Sequence, residues 1–318
     1  MMITLLEFRE QLKNFYAKFE VYITPLYKFL VSLTAFLLIN QNMGYLRPLK
    51  NPAIAIILAL LCSFLPMNFA VFFAGLLILG HAIGLSLEAG IVILCVELLI
   101  LMLYLRLSPK SSFILLLTPI AFALKVPYVI PISVGLVSAP VAALPVGCGV
   151  AVYYMIDLLK TNASALSNSD AESMLTRISL LVNGIIDNKA MLLTIAAFTI
   201  TIMVVYIIRR LSVDYAWGIA IGVGAITDIF VLLIGDFVLD VSNSLLMLIV
   251  GSLVAVLVAL VLHFFLFSVD YSRTERVQFE DDEYYYYVKA VPKMSVTTRK
   301  KQIKKINAKK DDRRNERY

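Results

Sequence analysis

Long apolar runs separated by short polar loops cover the chain from Tyr22 to Ser268. A helix needs about 20 consecutive apolar residues to cross a bilayer. This pattern predicts spans at about 22–40, 87–105, 190–208, 216–239 and 244–268. Residues 52–86 form one longer run with Pro66 near its middle. That run predicts either two short spans, or a re-entrant hairpin followed by one span.

Residues 1–21 have a different pattern, with charged side chains between regularly spaced apolar ones. Leu5, Phe8, Leu12 and Phe15 recur at steps of three and four residues. Such spacing is typical of an amphipathic helix. The segment carries too many charges to cross a bilayer, so we expect it to lie on the membrane surface.

Residues 111–160 are the segment on which the functional hypothesis depends. They contain five of the chain's eleven prolines, namely Pro119, Pro127, Pro131, Pro140 and Pro145. Proline removes a backbone donor and disrupts the preceding helical turn. Irregular backbone at membrane depth is tolerated only where protein buries it or where it lines a wet cavity. We therefore predict broken helices at the centre of the bundle, with the candidate site beside them.

The polar segments divide the rest of the chain. Residues 22–110 form a first membrane half, 161–189 an extracytoplasmic polar insert, 190–268 a second membrane half and 269–318 a cytoplasmic tail. The orientation follows the bias of Lys and Arg toward cytoplasmic loops. It places the loops that carry Arg106, Lys110, Arg209 and Arg210 inside. An N-terminus on the same side then requires an extra crossing within 52–86.

Composition fixes the class of protein. The chain is 60% hydrophobic and 16% charged, with a mean hydropathy of +0.87, whereas soluble domains are closer to half apolar and a quarter charged. From Lys289 to Tyr318 there are 12 Lys and Arg against 3 Asp and Glu. That local charge of +9 exceeds the total of +6, so the basicity belongs to the tail and indicates no nucleic-acid surface. The three cysteines lie apart in apolar runs and predict neither a metal nor a redox site.

Ionisable groups inside spans are costly and are therefore functional candidates. Glu97 and Asp228 lie near the middle of their spans and predict either a proton or cation relay or a structural hydrogen bond. Lys125, between two broken half-helices, is either a substrate anchor or a side chain that extends to the interface. His81 and Asp236 lie near predicted helix ends and complete the set of intramembrane polar candidates.

Two weaker patterns concern packing and symmetry. The order of short matches around Ala35 and Ala197, and around Gly80 and Gly235, is consistent with a parallel repeat, one of the ways transporters are built. Small residues at four-residue spacing, as at Gly218 and Gly222, favour close helix approach.

The tail contains an extended, aromatic stretch at 275–293. Its side chains with strand propensity are Val277, Phe279, Tyr284, Tyr285, Tyr286 and Tyr287. One hypothesis is that this stretch adds as a strand to the sheet edge of a cytoplasmic protein partner; the alternative is a disordered tail whose aromatic side chains rest on the membrane. Residues 294–318 are polybasic and are expected to be disordered and attracted to anionic lipid.

The stretches KVPYVIPISVGLVSAPVAALPVGCGVAVYY and FSVDYSRTERVQFEDDEYYYYVKAVPK resemble an uncharacterised family of bacterial multi-pass membrane proteins. Members of that family are sometimes labelled permease-like. The resemblance covers most of the chain and implies a location in the bacterial cytoplasmic membrane. It brings no substrate, reaction or catalytic residue.

Together these patterns predict an all-α polytopic membrane protein with about eight transmembrane helices and a short cytoplasmic tail. Two functions follow. The first is a permease-type transport subunit, which would need a separate ATPase subunit if transport is driven by ATP. The second is a membrane anchor that recruits a cytoplasmic assembly through the tail. No nucleotide-binding loop or catalytic motif is present, so we predict neither an enzyme nor a bound cofactor.

Overall fold

The computed structural model describes residues 2–167, 174–241, 244–266, 275–280 and 285–290. The chain divides into two compact units. Tyr16–Phe267 forms the first, which contains the transmembrane bundle, and Met1–Phe15 together with Ser268–Tyr318 forms the second. The predicted polybasic segment 294–318 and Tyr284 lie outside the described residues.

The bundle is built entirely from helices, which confirms the predicted all-α polytopic membrane fold. In chain order the helices are α1 Met2–Asn42, α2 Pro52–Phe64, α3 Met67–Leu85, α4 Leu87–Leu107, α5 Ser112–Ala123, α6 Val129–Val137, α7 Ala143–Thr161, α8 Ala163–Ser167, α9 Met174–Ile186, α10 Lys189–Arg209, α11 Ala216–Leu239 and α12 Leu245–Leu266. A single 3₁₀ turn, Pro140–Ala142, leads into α7.

Contacts near helix termini define two ends of the bundle. Lys160, in the last turn of α7, donates a hydrogen bond from Nζ to Oδ1 of Asn42 at the end of α1, at 3.3 Å. Gly184 of α9 packs against Leu158 of α7, so α10 begins where α7 finishes. We call this the Lys160 end, and the opposite end, where α10 finishes, the Arg209 end.

The last three helices alternate between these ends. Gly224 and Gly235 of α11 pack against Val205 and Leu193 of α10, so the two helices are antiparallel. The ring of His263 in α12 stacks on Trp217 in the first turn of α11. Helix α12 therefore finishes at the Arg209 end.

The structure resolves residues 52–86 into two antiparallel helices. Ser63 of α2 donates to the carbonyl of Pro25 at 2.9 Å, near the start of the first span, whereas Gly80 of α3 packs against Leu49 at the other end. The chain turns at Leu65 and Pro66. A helix of 13 residues is about 20 Å long, so α2 crosses most of a bilayer core about 30 Å thick.

The described residues thus contain eight helical segments that run between the two ends of the bundle: α1, α2, α3, α4, α7, α10, α11 and α12. Seven of these segments, all except α2, contain a helix that is long enough and apolar enough to cross a membrane. This criterion considers only length and composition. The extra crossing that the orientation required is α2. Which side of the membrane each end faces stays a prediction.

Helices α5 and α6 form a re-entrant hairpin that enters and leaves at the Arg209 end. Thr118 and Phe122 of α5 contact Gly149 and Tyr153 of α7 in the same order along the chain, so α5 runs parallel to α7. Tyr128, Gly135 and Ser138 contact α10 at Phe198, Val205 and Arg209, so α6 runs parallel to α10 and returns. The predicted broken core is therefore a hairpin of two half-helices followed by one full crossing.

The directions of the helices do not agree with the predicted parallel repeat. Helix α1 finishes at the Lys160 end, whereas its predicted counterpart α10 finishes at the Arg209 end. The helix α2 lies between the matched segments in the first half and has no counterpart between α10 and α11. The glycine prediction also fails at Gly218 and Gly222, since a Cβ at either position would meet no atom within 4 Å.

The N-terminal helix and the tail differ in detail from their predictions. Helix α1 continues from the predicted surface segment into the first span across a kink at Phe19, where the backbone angles are non-helical. In the tail, the strand-like stretch pairs with itself: β1 Glu275–Glu280 and β2 Tyr285–Ala290 are antiparallel, with Val277 opposite Val288 and Phe279 opposite Tyr286.

Candidate functional site

A cavity of about 570 Å³ lies between α1, α3, α4, α5 and α7. A volume of this size suits one small or drug-sized molecule. Most of its wall is apolar, and its polar lining residues are Gln41, Asn42, Glu97, Lys125, Tyr153, Asp157 and Lys160. Four of these, Gln41, Asn42, Asp157 and Lys160, belong to the Lys160 end, so the polar groups mark a mouth at that end.

Glu97 borders the cavity about halfway along its depth, with Leu101 of the same helix further from the mouth. It is ten residues from either terminus of α4, about 15 Å from each at the rise of an α-helix. Only 9% of the residue is exposed, and its Oε1 has no hydrogen-bond partner among the described residues. The prediction that Glu97 faces the interior is consistent with this burial.

Gly75 of α3 keeps the space in front of Glu97 open. A Cβ placed on Gly75 would lie 3.5 Å from Oε2 of Glu97, and any larger side chain would fill the cavity at the carboxylate. Because glycine removes this obstruction, the carboxylate borders the cavity. No sequence pattern marks Gly75 as a site residue, because only the packing of α3 on α4 places it opposite Glu97.

The Arg209 end of this half is occupied by a buried polar cluster. The Tyr104 hydroxyl lies 2.8 Å from Oδ1 of Asn68, 3.0 Å from the carbonyl of Pro109 and 2.6 Å from Oγ of Ser112. Tyr104 follows Glu97 by two helical turns, about 11 Å along α4. It is fully buried, and it links α3, α4 and the start of α5 beneath the cavity.

The hairpin tip supplies Lys125 to the cavity. Helix α5 ends in a Schellman motif, in which Val126 N–H donates to the Ala121 carbonyl and Lys125 N–H to the Phe122 carbonyl, both at 2.9 Å. Lys125 takes the left-handed position of this motif, with φ of 61°. That position favours glycine, and a side chain there costs roughly 1–2 kcal/mol. The protein therefore has a lysine instead of a glycine in this unfavourable conformation, at a position whose side chain lines the cavity.

Each of the five prolines has a local role. Pro119 is inside α5 and lines the cavity; because it has no N–H, it leaves the Leu115 carbonyl without its helical donor. That carbonyl faces Gly149, where a Cβ would lie 2.9 Å from its oxygen. The other four, Pro127, Pro131, Pro140 and Pro145, lie at the tip, near the start of α6, in the 3₁₀ turn and in the first turns of α7.

His81 is a buried residue of α3 beside the loop between α1 and α2, and it does not line the cavity. Its Nδ1 accepts the N–H of Leu46 at 3.2 Å, so Nε2 carries the proton and donates to Oδ1 of Asn40 at 3.0 Å. Asn40 in turn donates to the carbonyl of Leu49 at 2.9 Å. These bonds fasten the loop between α1 and α2, which is a structural role.

Asp228 and Asp236 lie in the second half, also outside the cavity lining. Asp228 is 1% exposed; its Oδ1 accepts a hydrogen bond from Thr201 at 3.2 Å, and its Oδ2 has no partner among the described residues. Asp236 is half-buried near the end of α11. The structure therefore separates the two mid-span acids, with Glu97 at the cavity and Asp228 between α10 and α11.

The described residues contain no group of three or more metal-ligating side chains placed to hold a metal ion. What the cavity offers is one buried carboxylate, a polar mouth and apolar walls, which suits binding of an organic molecule. Comparisons with protein-family models, with curated proteins and with solved structures find no match to this chain.

Proposed function

We propose that this protein is a permease-type transport subunit that binds a small solute in the cavity beside the α5–α6 hairpin. The observation that carries the proposal is the cavity itself, bordered by the Glu97 carboxylate, whose Oε1 has no partner among the described residues. A carboxylate in the middle of a span costs about 2.5–3.5 kcal/mol on the insertion scale. A purely structural bundle gains nothing from such a group or from the hollow in front of it.

The arrangement of the two ends supports alternating access. The polar mouth opens the cavity toward the Lys160 end, and the Tyr104 cluster closes it toward the Arg209 end. The hairpin joins both regions, since α5 starts at the Tyr104 cluster and ends at Lys125. Discontinuous helices of this kind line substrate sites in many transporters. We place the Arg209 end in the cytoplasm of a bacterial cell, where a separate ATPase subunit could act on it.

The test is the accessibility of engineered cysteines on two neighbouring residues of α4. Ile100 lines the cavity and is half-buried, whereas Leu99 is 66% exposed on the outside of the bundle. In a variant with Cys62, Cys95 and Cys148 replaced by alanine, Ile100→Cys should react with 2-hydroxyethyl methanethiosulfonate at least tenfold faster than Leu99→Cys. Only the thiolate reacts, and a thiol facing hydrocarbon does not ionise.

Sealed vesicles of both orientations give the side of access. Reaction of Ile100→Cys with a charged, impermeant reagent only from the side of the Lys160 end agrees with the proposal. Equal, slow reaction of both cysteines would show that no aqueous path reaches Glu97, and the transport proposal would then be wrong.

A second candidate function, a membrane anchor for a cytoplasmic assembly, is favoured by the tail hairpin. Tyr287 is 74% exposed and Val288 is 47% exposed in β2. Because β1 and β2 already pair with each other, each has one remaining edge to offer to a partner sheet. The partner would therefore add beside the hairpin instead of binding a single extended strand.

We expect the double substitution of Tyr285 and Tyr287 by alanine to weaken recruitment by about tenfold or more, because aromatic anchors contribute most to an interface. Replacing Lys289 by alanine, opposite Arg276 in the hairpin, is the matched control and should change it less than threefold. Cross-linking from intact cells, compared with a chain truncated after Arg273, measures both. A truncated chain that retains every partner would rule out the anchor function.

A further inference from the structure

The charged side chains that line the cavity lie at different depths. Glu97 is at the middle of α4, about two helical turns from the Tyr104 cluster. The lysines that line the cavity, Lys125 at the hairpin tip and Lys160 at the mouth, make no ion pair with Glu97 among the described residues. Lys160 donates instead to Asn42. Among the described residues, Glu97 therefore has no counter-charge.

The cavity walls on both sides of the carboxylate are apolar. They include Val71 and Ile78 from α3, Leu101 from α4, and Leu116 and Ile120 from α5. Phe122 and Tyr153, which also line the cavity, stack on the α5–α7 side with ring centroids 4.5 Å apart. Aromatic faces attract cations as well as apolar groups.

A divalent inorganic cation fits this site poorly. Calcium takes six to eight oxygen ligands and magnesium six, and the acids of the lining are Glu97 and Asp157, which do not form a metal-binding group. An organic cation needs one counter-charge for its head and apolar contact for its body, and the cavity offers both. When the head is a protonated amine, the missing partner of Oε1 is an N–H donor of the bound molecule.

We propose that the cavity selects amphipathic organic cations, with a protonated amine or quaternary ammonium head against Glu97 and an apolar body against the α3, α5 and α7 walls. This inference rests on the proposed transport function and specifies the substrate class of the same site. An anionic head group would gain no attraction from Glu97, so we expect no preference for anions at this position.

The charge selectivity of cysteine modification tests the recognition of the head group. With Ile100→Cys in the cysteine-free protein, we compare the trimethylammonium-ethyl and sulfonato-ethyl methanethiosulfonates. The ratio of their rates, divided by the same ratio for free 2-mercaptoethanol, should exceed ten. It should fall to near one in Glu97→Gln and remain above ten in Glu97→Asp, which keeps the charge.

Glu88→Gln is the matched control. Glu88 is in the first turn of the same helix, pairs with Arg177 at 3.1 Å and does not line the cavity. Its neutralisation removes the same charge from α4 and should leave the normalised ratio above ten. A ratio that falls equally in Glu88→Gln and Glu97→Gln would show a general surface effect and overturn the assignment to Glu97.

Protection by a bound molecule tests the apolar body. We expect 4-phenylbutylamine to slow modification of Ile100→Cys by the neutral reagent at a concentration at least tenfold below that needed for 4-phenylbutanol. The anion 4-phenylbutanoate should protect no better than the alcohol. In Glu97→Gln the amine should lose its advantage over the alcohol.

The outcomes separate the two proposals. If Ile100→Cys does not react at all, the aqueous cavity and hence the transport proposal are wrong. If it reacts, but the cationic reagent and the amine have no advantage, transport through the cavity stands and the cation class is wrong. Equal protection by amine and alcohol with a high rate ratio would also overturn the class, since the head group would then not contribute to binding.

Discussion

Gly149→Ala is expected to lower the stability of the protein by about 2–3 kcal/mol, at the upper part of the range for overpacked cores. A Cβ at Gly149 would lie 2.6 Å from Cβ of Thr118 and 2.9 Å from the Leu115 carbonyl oxygen. The second obstacle is backbone, so a rotamer change cannot relieve it. Helix α5 would have to move away from α7, and both helices line the cavity.

The same substitution at Gly218 is the matched control, because a Cβ there would meet no atom within 4 Å. Alanine has the higher helix propensity by about 1 kcal/mol, so Gly218→Ala should be neutral or stabilising. Thermal unfolding of the purified protein in detergent micelles measures both variants. At roughly 2–4 °C per kcal/mol, Gly149→Ala should lower Tm by about 4–12 °C. Equal Tm values for the two variants would show that α5 and α7 are not closely packed.

The prolines show what sequence could and could not establish about the core. Proline marks where a helix cannot continue, and the breaks at Pro127 and Pro140 were predictable on that ground. The direction in which the chain leaves each break depends on contacts with α7 and α10, which are distant in sequence. Pro119 is tolerated inside α5 and was expected to break it. The re-entrant path could therefore not be predicted from the composition of the segment alone.

The candidate site was predictable only in part for the same reason. Glu97 was identified because a charge in the middle of an apolar run is costly wherever it lies. Gly75 and Asn42 carry no such signal, and they belong to the site only because α3 and α1 pack beside α4 and α7. Asp228 has the same sequence signal as Glu97, yet it borders Thr201 instead of the cavity.

Arg209→Met is expected to destabilise the protein by about 3 kcal/mol, because hydrogen bonds to a charged group are worth about 1.5–3 kcal/mol each. Arg209 donates from Nη1 to the carbonyl of Leu136 and from Nη2 to that of Ser138, the latter at 2.8 Å. The last carbonyls of a helix have no intrahelical donor. Pro140, four residues after Leu136, has no N–H to offer.

Arg209 therefore fastens the returning arm of the hairpin to α10 and neutralises the negative end of the α6 dipole. The fixed fork of the guanidinium contacts both carbonyls at once, so Arg209→Lys should recover the charge but only part of the stability. The control is Arg210→Met: Arg210 is the next residue, is exposed and makes neither bond, so its loss should stay within about 0.5 kcal/mol. Thermal unfolding in nanodiscs compares the three variants. If Arg209→Met unfolds at the same temperature as Arg210→Met, α6 is held by its apolar contacts with α10 and α12 alone, and the proposed attachment of the hairpin through Arg209 is wrong.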